Sequence, residues 1–160
     1  MSSKPITLTL AALSAAALSG VAASASARSA HRTKGAAATA GAKVQVRHTS
    51  LGDVLVNGRG FTLYAFSRDG RNRNHCMSIS GCRAIWPLDR TDGRPVAGRG
   101  VHRSMLGTIH LAGGVTQVSY ASHPLYAYSG DSFAGETDYA GVSQFGGTWH
   151  AIRASGHLAG

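Results

Sequence analysis

Several sequence signals of catalysis and metal binding are missing from this chain. It has no Gly-x-Ser-x-Gly elbow of a hydrolase, no His-Glu-x-x-His zinc site and no Cys-x-x-Cys-His haem attachment. Acidic residues are few, seven against sixteen Lys and Arg, and the repeated pair, Asp69 and Asp131, occupies two similar turns rather than one site. These absences predict a protein that is not an enzyme and has no cofactor. No metal site is assigned, and the weak candidates are His75, His123 and His150.

Residues 1–27 have the layout of a secretory signal peptide. A short polar start with Lys4 precedes a stretch that is almost wholly apolar or small, and Ala25-Ser26-Ala27 supplies a small-residue cleavage site. A transmembrane anchor is disfavoured because the stretch is rich in Ala, Ser, Thr and Gly. No Cys comes after it, so we expect no lipid anchor. The mature protein is predicted to be secreted or otherwise extracytoplasmic, with no transmembrane segment.

Residues 28–47 are predicted to form a flexible basic linker. They include five Lys and Arg residues but no acid and no aromatic residue, so they cannot bury enough apolar surface to offset ordering. Such a basic tail could bind an anionic cell wall or membrane surface. A tether without any partner explains the composition at least as well. Residues 48–160 keep ten basic residues against all seven acids, a net charge of about +3. Their basic residues are scattered, so we expect no nucleic-acid partner.

Residues 48–160 are predicted to form one mainly β domain. Glycine is abundant with 21 residues, proline is scarce with four, and helical periodicity is weak. Short alternating segments are separated by hairpin signals such as Asn57-Gly58 and Gly113-Gly114. Near residues 82–86 the sequence instead predicts one short helical turn.

One line of sequence occurs twice, as LYAFSRD and as LYAYSGD. Each copy comes after a hairpin pattern and precedes a polar loop and then a tryptophan, Trp86 in the first half and Trp149 in the second. The pattern predicts two pseudo-symmetric repeats of short antiparallel strands, over about 51–90 and 105–155. Neither half could bury its apolar face alone, so we expect both tryptophans to be structural.

The repeated line predicts a strand with an aromatic face. Residues i and i+2 share a face of a strand, so the rings point one way and the Leu-Ala pair points the other. The closing Asp is expected to cap the next turn through backbone N–H groups. A cation or sugar site is the alternative, but core packing is favoured. The motif residues are Tyr64, Phe66 and Asp69 in the first copy and Tyr126, Tyr128 and Asp131 in the second.

This pattern of Tyr-x-aromatic-x-x-Asp resembles the bacterial secreted-repeat family named for its Yx(FWY)xxD motif. Other marks occur in order between Leu51 and Ile152: a cysteine pair before a Trp-Pro, the segment TQVSY before HPLYAYSGD, and a closing TWHAI. The resemblance implies an exported, often lipid-anchored protein with a mainly β domain of two repeats. It implies no established activity.

The two cysteines, Cys76 and Cys82, are predicted to form a structural disulfide bond, because an even count in an exported chain favours oxidation. Two other interpretations stay open. A redox-active pair would more often have the Cys-x-x-Cys spacing at the start of a helix, and a metal-binding pair is the third interpretation.

The preferred functional hypothesis is an exported binding or scaffold module whose partner is an unknown envelope component. The contending hypothesis is an extracytoplasmic redox or metal accessory protein, with copper or haem, that uses His75 and the cysteine pair. The loops after the two motif copies differ, since the first is a disulfide loop and the second is an acidic, glycine-rich loop with Glu136 and Asp138. This acidic loop lacks the spacing of a helix-flanked calcium site. We expect any site-specific function to lie in these two loops.

Overall fold

A computed structural model describes residues 41–160. The predicted signal peptide and residues 28–40 of the predicted linker lie outside the described residues. The mainly β fold class is confirmed. The elements in chain order are β1 (Lys43–Thr49), β2 (Gly52–Asn57), β3 (Tyr64–Phe66), α1 (Cys82–Ile85), β4 (Val96–Ala97), β5 (Leu106–His110), β6 (Thr116–Tyr120), β7 (His123–Pro124), β8 (Ser143–Gln144), β9 (Gly147–Ile152) and β10 (Leu158–Ala159).

The first strand begins inside the segment that the sequence assigns to the linker. Residues 43–47 belong to β1, and Val44 on this strand is fully buried. Apolar Val44 and Val46 alternate here with Lys43, Gln45 and Arg47, so the strand has one apolar and one polar face. The linker prediction is therefore wrong for residues 43–47, because basic side chains on the polar face concealed the alternation.

Each half of the domain begins with an antiparallel hairpin. β1 pairs with β2, and β5 pairs with β6. The turn predicted at Asn57 is confirmed, since the Asn57 side-chain oxygen accepts the N–H groups of Arg59 at 2.9 Å and Phe61 at 3.2 Å. The second hairpin turns where predicted, and Gly113 and Gly114 both adopt positive φ there.

The two halves exchange strands after these hairpins. β3 of the first half pairs with β9 of the second, with Phe66 opposite Trp149. In the second half the chain at Tyr126 pairs with Leu88, two residues after Trp86. Between the two pairings, Tyr64 and Tyr126 exchange N–H···O bonds of 2.8 and 2.9 Å. A pseudo-twofold axis therefore passes between Tyr64 and Tyr126, and each half completes the sheet of the other.

The two faces of the repeated strand supply two hydrophobic cores. One core contains Leu63, Ala65 and Leu125 together with Val44 from β1. The other is aromatic. Its buried members are Tyr64, Phe66, Cys76, Cys82, Trp86, Tyr126 and Trp149. The alternation predicted for the repeated line is therefore confirmed, with rings on one side of the strand and Leu and Ala on the other.

A disulfide bond joins Cys76 and Cys82 beside the aromatic core, as predicted. Both cysteines are fully buried. The closed loop contains a short 3-10 turn, and it ends in α1, which confirms the helical turn expected near residues 82–86. α1 has four residues, and within the described part of the chain no helix combines the length and the apolar character that a membrane crossing needs.

Removal of the disulfide should weaken the domain without changing its fold. For the variant Cys76→Ala/Cys82→Ala, we expect the free energy of unfolding to fall by about 2 kcal/mol, because the crosslink restricts only a seven-residue loop of the unfolded chain. Urea denaturation of the variant and of the oxidised protein measures the difference. An unfolded variant at room temperature would contradict a merely local role for this bond.

Candidate functional site

The Asp of each motif copy meets the Tyr of the other copy. The Tyr126 hydroxyl donates to Asp69 at 2.7 Å, and the Tyr64 hydroxyl lies 3.3 Å from both carboxylate oxygens of Asp131. Burial, with the adjacent carboxylate as a second cause, raises the pKa of Tyr64 and of Tyr126 above the usual value. Both hydroxyls therefore keep their protons and act as donors, which ties the two repeats together at the motif.

The two tryptophans stack on one another where the repeats meet. The ring centroids of Trp86 and Trp149 are 3.9 Å apart and the planes are nearly parallel, at 1°. Each tryptophan also packs edge-on with one ring from its own half and contacts one ring from the other half, which is stacked in the case of Trp149 and tilted by 46° in the case of Trp86. These contacts are Tyr64 on Trp86, Tyr126 on Trp149, Phe66 on Trp149 and Tyr128 on Trp86. The rings that the motif specifies are thus packing groups of a shared core.

The two motif carboxylates differ in what else they bind. Asp69 accepts the backbone N–H of His75 at 2.6 Å, so it caps its loop as predicted. In the second copy that cap comes from Glu136, which accepts the N–H of Ser132 at 2.6 Å. The cap predicted for Asp131 is therefore wrong. Burial is the main cause that raises the pKa of Asp131 to about 7, and Glu136 raises it further.

Two buried polar atoms of the described chain have no hydrogen-bond partner, Asp89 Oδ2 and Trp149 Nε1. The indole N–H of Trp86, by contrast, donates to Gln144 at 2.7 Å. Asp89 stands three residues after Trp86, and its pseudo-symmetric counterpart is Ile152, a fully buried core residue. Burial raises the pKa of Asp89 to about 7. Pseudo-symmetry thus places an uncompensated carboxyl group where the other half has a hydrocarbon side chain.

The weak metal candidates lie apart from one another. The His75 ring lies 3.2 Å from the Arg68 guanidinium, and the His150 ring lies 2.8 Å from the Gly160 carbonyl oxygen. Burial and nearby Arg71 lower the pKa of His123. Among residues 41–160, no three His, Cys, Asp or Glu side chains come together in a way that suits a metal ion.

The acidic loop after the second motif copy packs onto the first half. The Thr62 hydroxyl donates to the Glu136 carbonyl oxygen, and the Gly135 N–H donates to the Gly60 carbonyl oxygen at 2.9 Å. These bonds place Ala134 beside the β2–β3 turn. The loop therefore forms one wall of a neighbouring cleft.

That cleft is the strongest candidate site on the exposed surface, and we call it the arginine cleft. Its volume is about 330 Å³, and it lies between β1, the β2–β3 turn and the segment after β4. Its cationic side chains are Arg47, Arg59 and Arg99, with His48 beside them. The sequence did not predict this cleft, because Arg47 was assigned to the linker. The alternation of valine and polar residues over 43–47 was the signal that could have placed Arg47 on a strand.

A larger cleft, of about 520 Å³, lies beside β5. It also holds two arginines, Arg94 and Arg103, but the carboxylate of Asp92 lines it too. An acid in the wall partly neutralises the cleft and makes it less suitable for an anionic ligand.

The two motif carboxylates should differ in their importance for stability. We expect Asp69→Asn to lower the free energy of unfolding by about 1–3 kcal/mol, because the amide N–H₂ would face one of the two donors, the His75 N–H or the Tyr126 hydroxyl, that the carboxylate now binds. Asp131→Asn should cost clearly less, since Asp131 accepts only the longer contacts from Tyr64. Thermal and urea unfolding at pH 8 compare the two variants. Equal losses of stability in the two variants would contradict the different hydrogen-bond partners assigned to Asp69 and Asp131.

The buried carboxyl group of Asp89 should make stability depend on pH. The pKa of Asp89 in the folded chain is about 7, above the usual value near 3.9. The contribution of this carboxyl group to the free energy of unfolding is therefore complete at low pH and is lost as the pH rises towards 7. Asp89→Asn should therefore unfold at a higher denaturant concentration than the wild type at pH 8, with a smaller difference at pH 4. Exposed Asp92→Asn is the control. If the wild type unfolded at a higher denaturant concentration than Asp89→Asn at pH 8, the burial of a charged carboxylate would be contradicted.

Comparison with known proteins gives one family-model match, which lies in the second half of the domain. Residues 107–153 match the family model described as a secreted repeat of unknown function. No curated protein matches the chain, and no solved structure matches it. The matched residues extend from β5 to the end of β9 and include Tyr126, Asp131 and Trp149. The resemblance that the sequence suggested is thus confirmed over residues 107–153, which are similar to a repeat of this secreted-repeat family.

Proposed function

We propose that the chain is an exported module that binds an envelope component on its surface and catalyses no reaction. The secreted-repeat match supports the extracytoplasmic location. The positions of the motif groups support a structural role for the motif. Tyrosine hydroxyls donate to carboxylates of the other repeat, and the rings pack on the two tryptophans, so these groups are engaged within the domain.

The observation that carries the proposal is the arginine cleft. Its three arginines are exposed, and no carboxylate of the described chain lies within 4.0 Å of their guanidinium groups. The nearby carboxylate of Asp53 instead lies 2.9 Å from the His48 ring. Guanidinium groups without an internal partner can bind an oxyanion without first breaking an ion pair. The surface of a cell envelope is anionic, so such a cleft suits an envelope partner.

The construction of the domain suits a binding module. Side chains on a rigid framework lose less entropy on binding than side chains on free loops. Here Arg47 is on a paired strand, Arg59 is in a tight hairpin turn, and the carbonyl of Arg99 accepts the Val46 N–H at 3.0 Å. The three elements are therefore fixed relative to one another by backbone hydrogen bonds.

The exported chain should bind envelope fragments from the producing cells saturably. We expect co-sedimentation that weakens as the salt concentration rises from about 0.05 M to about 0.5 M, because salt screens exposed charges. The measurement is the bound fraction as a function of fragment concentration, with bovine serum albumin as the non-binding control. Absence of saturable binding at low salt would overturn the proposed function. Stoichiometric copper or haem in the purified chain would favour the accessory-protein hypothesis instead.

A further inference from the structure

We propose that the arginine cleft binds a phosphate-ester group, carried either by an anionic phospholipid or by a phosphodiester polymer of the envelope. This inference rests on the proposed binding function and names the ligand chemistry of the same surface. It concerns Arg47, Arg59 and Arg99, none of which belongs to the repeated motif.

The Arg47 side chain runs beside two glycines, Gly135 and Gly60. A Cβ atom at Gly135 would come within 2.8 Å of the Arg47 Cδ, and one at Gly60 would come within 3.5 Å of its Nη1. Both glycines adopt positive φ, and their backbones are hydrogen-bonded to each other at 2.9 Å. A Cβ atom at Gly135 would therefore be too close to the Arg47 side chain, which lines the cleft.

Arg59 enters the cleft from the hairpin turn. The turn is fixed by the Asn57 side chain, which accepts the Arg59 N–H, and the Gly60 N–H donates to the Asn57 carbonyl oxygen at 2.9 Å. The Arg59 guanidinium carbon lies 5.4 Å from the centre of the Phe61 ring, a cation–π contact. This contact orients the side chain without neutralising it.

The nearby acidic groups are already bonded elsewhere. Asp53 is paired with His48 at 2.9 Å. In the acidic loop, Glu136 accepts the N–H groups of Ser132 at 2.6 Å and Phe133 at 3.3 Å. Neither acid is bonded to a guanidinium group of the cleft, so the three arginines can bind an anion from outside the chain.

Three guanidinium groups at one cleft favour a phosphate ester over a single carboxylate. Guanidinium forks donate pairs of hydrogen bonds to oxyanions. A carboxylate has two oxygens on one carbon, whereas the non-ester oxygens of a phosphate point in different directions. In addition, a polymer or a lipid surface presents many phosphate esters, so the negative charge is repeated. A lipid source receives specific support from Phe133, which is 62% exposed and adjacent to Ala134 in the cleft wall. An exposed aromatic ring beside basic side chains is suited to contact the acyl region under a headgroup.

Binding of the full exported chain to three probes tests the inference. The probes are phosphatidylcholine vesicles with and without phosphatidylglycerol, a soluble poly(glycerol phosphate), and poly-glutamate of similar charge density. We expect binding to phosphatidylglycerol vesicles, to poly(glycerol phosphate) or to both, and clearly weaker binding to poly-glutamate. Equal affinity for poly-glutamate, or no binding to either phosphate probe, would overturn the phosphate assignment.

Matched variants locate the binding. Arg47→Gln/Arg59→Gln/Arg99→Gln should weaken binding to the phosphate probe by a factor on the order of ten or more, because a hydrogen bond to a charged group is worth more than one decade in affinity. The control removes the same charge elsewhere, through Arg71→Gln, Arg73→Gln and Arg83→Gln together, and should bind nearly as the wild type does. Equal losses of affinity in both triple variants would show that binding depends on net charge alone, and the assignment of the site to the arginine cleft would be wrong.

Two further variants separate the alternatives. The triple Arg→Lys variant of the cleft keeps the charge but removes the forks, so it should recover only part of the affinity if the forks bind the phosphate. Phe133→Ser should weaken binding to vesicles and leave binding to the soluble polymer unchanged if the lipid is the source. If envelope fragments bound the triple Arg→Gln variant as tightly as the wild type, the arginine cleft would not be the binding site, whereas the proposed function would still stand.

Discussion

The stack of Trp86 on Trp149 is the contact on which the rest of the domain depends. Each half contributes one ring, and each ring is covered further by an aromatic side chain from the other half. A half that folded alone would expose one face of its tryptophan and leave its motif strand without a β partner. Folding therefore has to bring both halves together, and the crossed hydrogen bonds between tyrosine and aspartate fix their relative position.

Pseudo-symmetry of the backbone makes the differences between the repeats informative. Asp69 caps its own loop, whereas Glu136 has taken that role in the second repeat and leaves Asp131 with the Tyr64 hydroxyl alone. Asp89 replaces the hydrocarbon of Ile152 at an equivalent core position. A shared framework tolerates such replacements because the tryptophan stack and the strand exchange supply most of the packing.

Local features of the fold could be predicted from the sequence, and long-range ones could not. Asn57-Gly58 and the alternation around Tyr64 specify a turn and a two-faced strand through neighbouring residues alone. The pairing of β3 with β9 depends on which half supplies the partner, and a repeat pattern fits pairing within a half equally well. The arginine cleft is assembled from β1, the β2–β3 turn, the segment after β4 and the acidic loop, so no spacing rule could identify it.

The pseudo-symmetry also shows that the second hairpin has no counterpart of Arg47. Arg47 lies opposite Val54 in the first hairpin, and the equivalent pair in the second hairpin is Ile109 opposite Gln117. Ile109 is 8% exposed and contributes to the core, so the second hairpin has no cation at this position. The motif maintains both halves in the same way, while only the first hairpin has an arginine at this position. A ligand of the arginine cleft would therefore contact the two halves of the domain differently, through three arginines of the first half and Ala134 of the second.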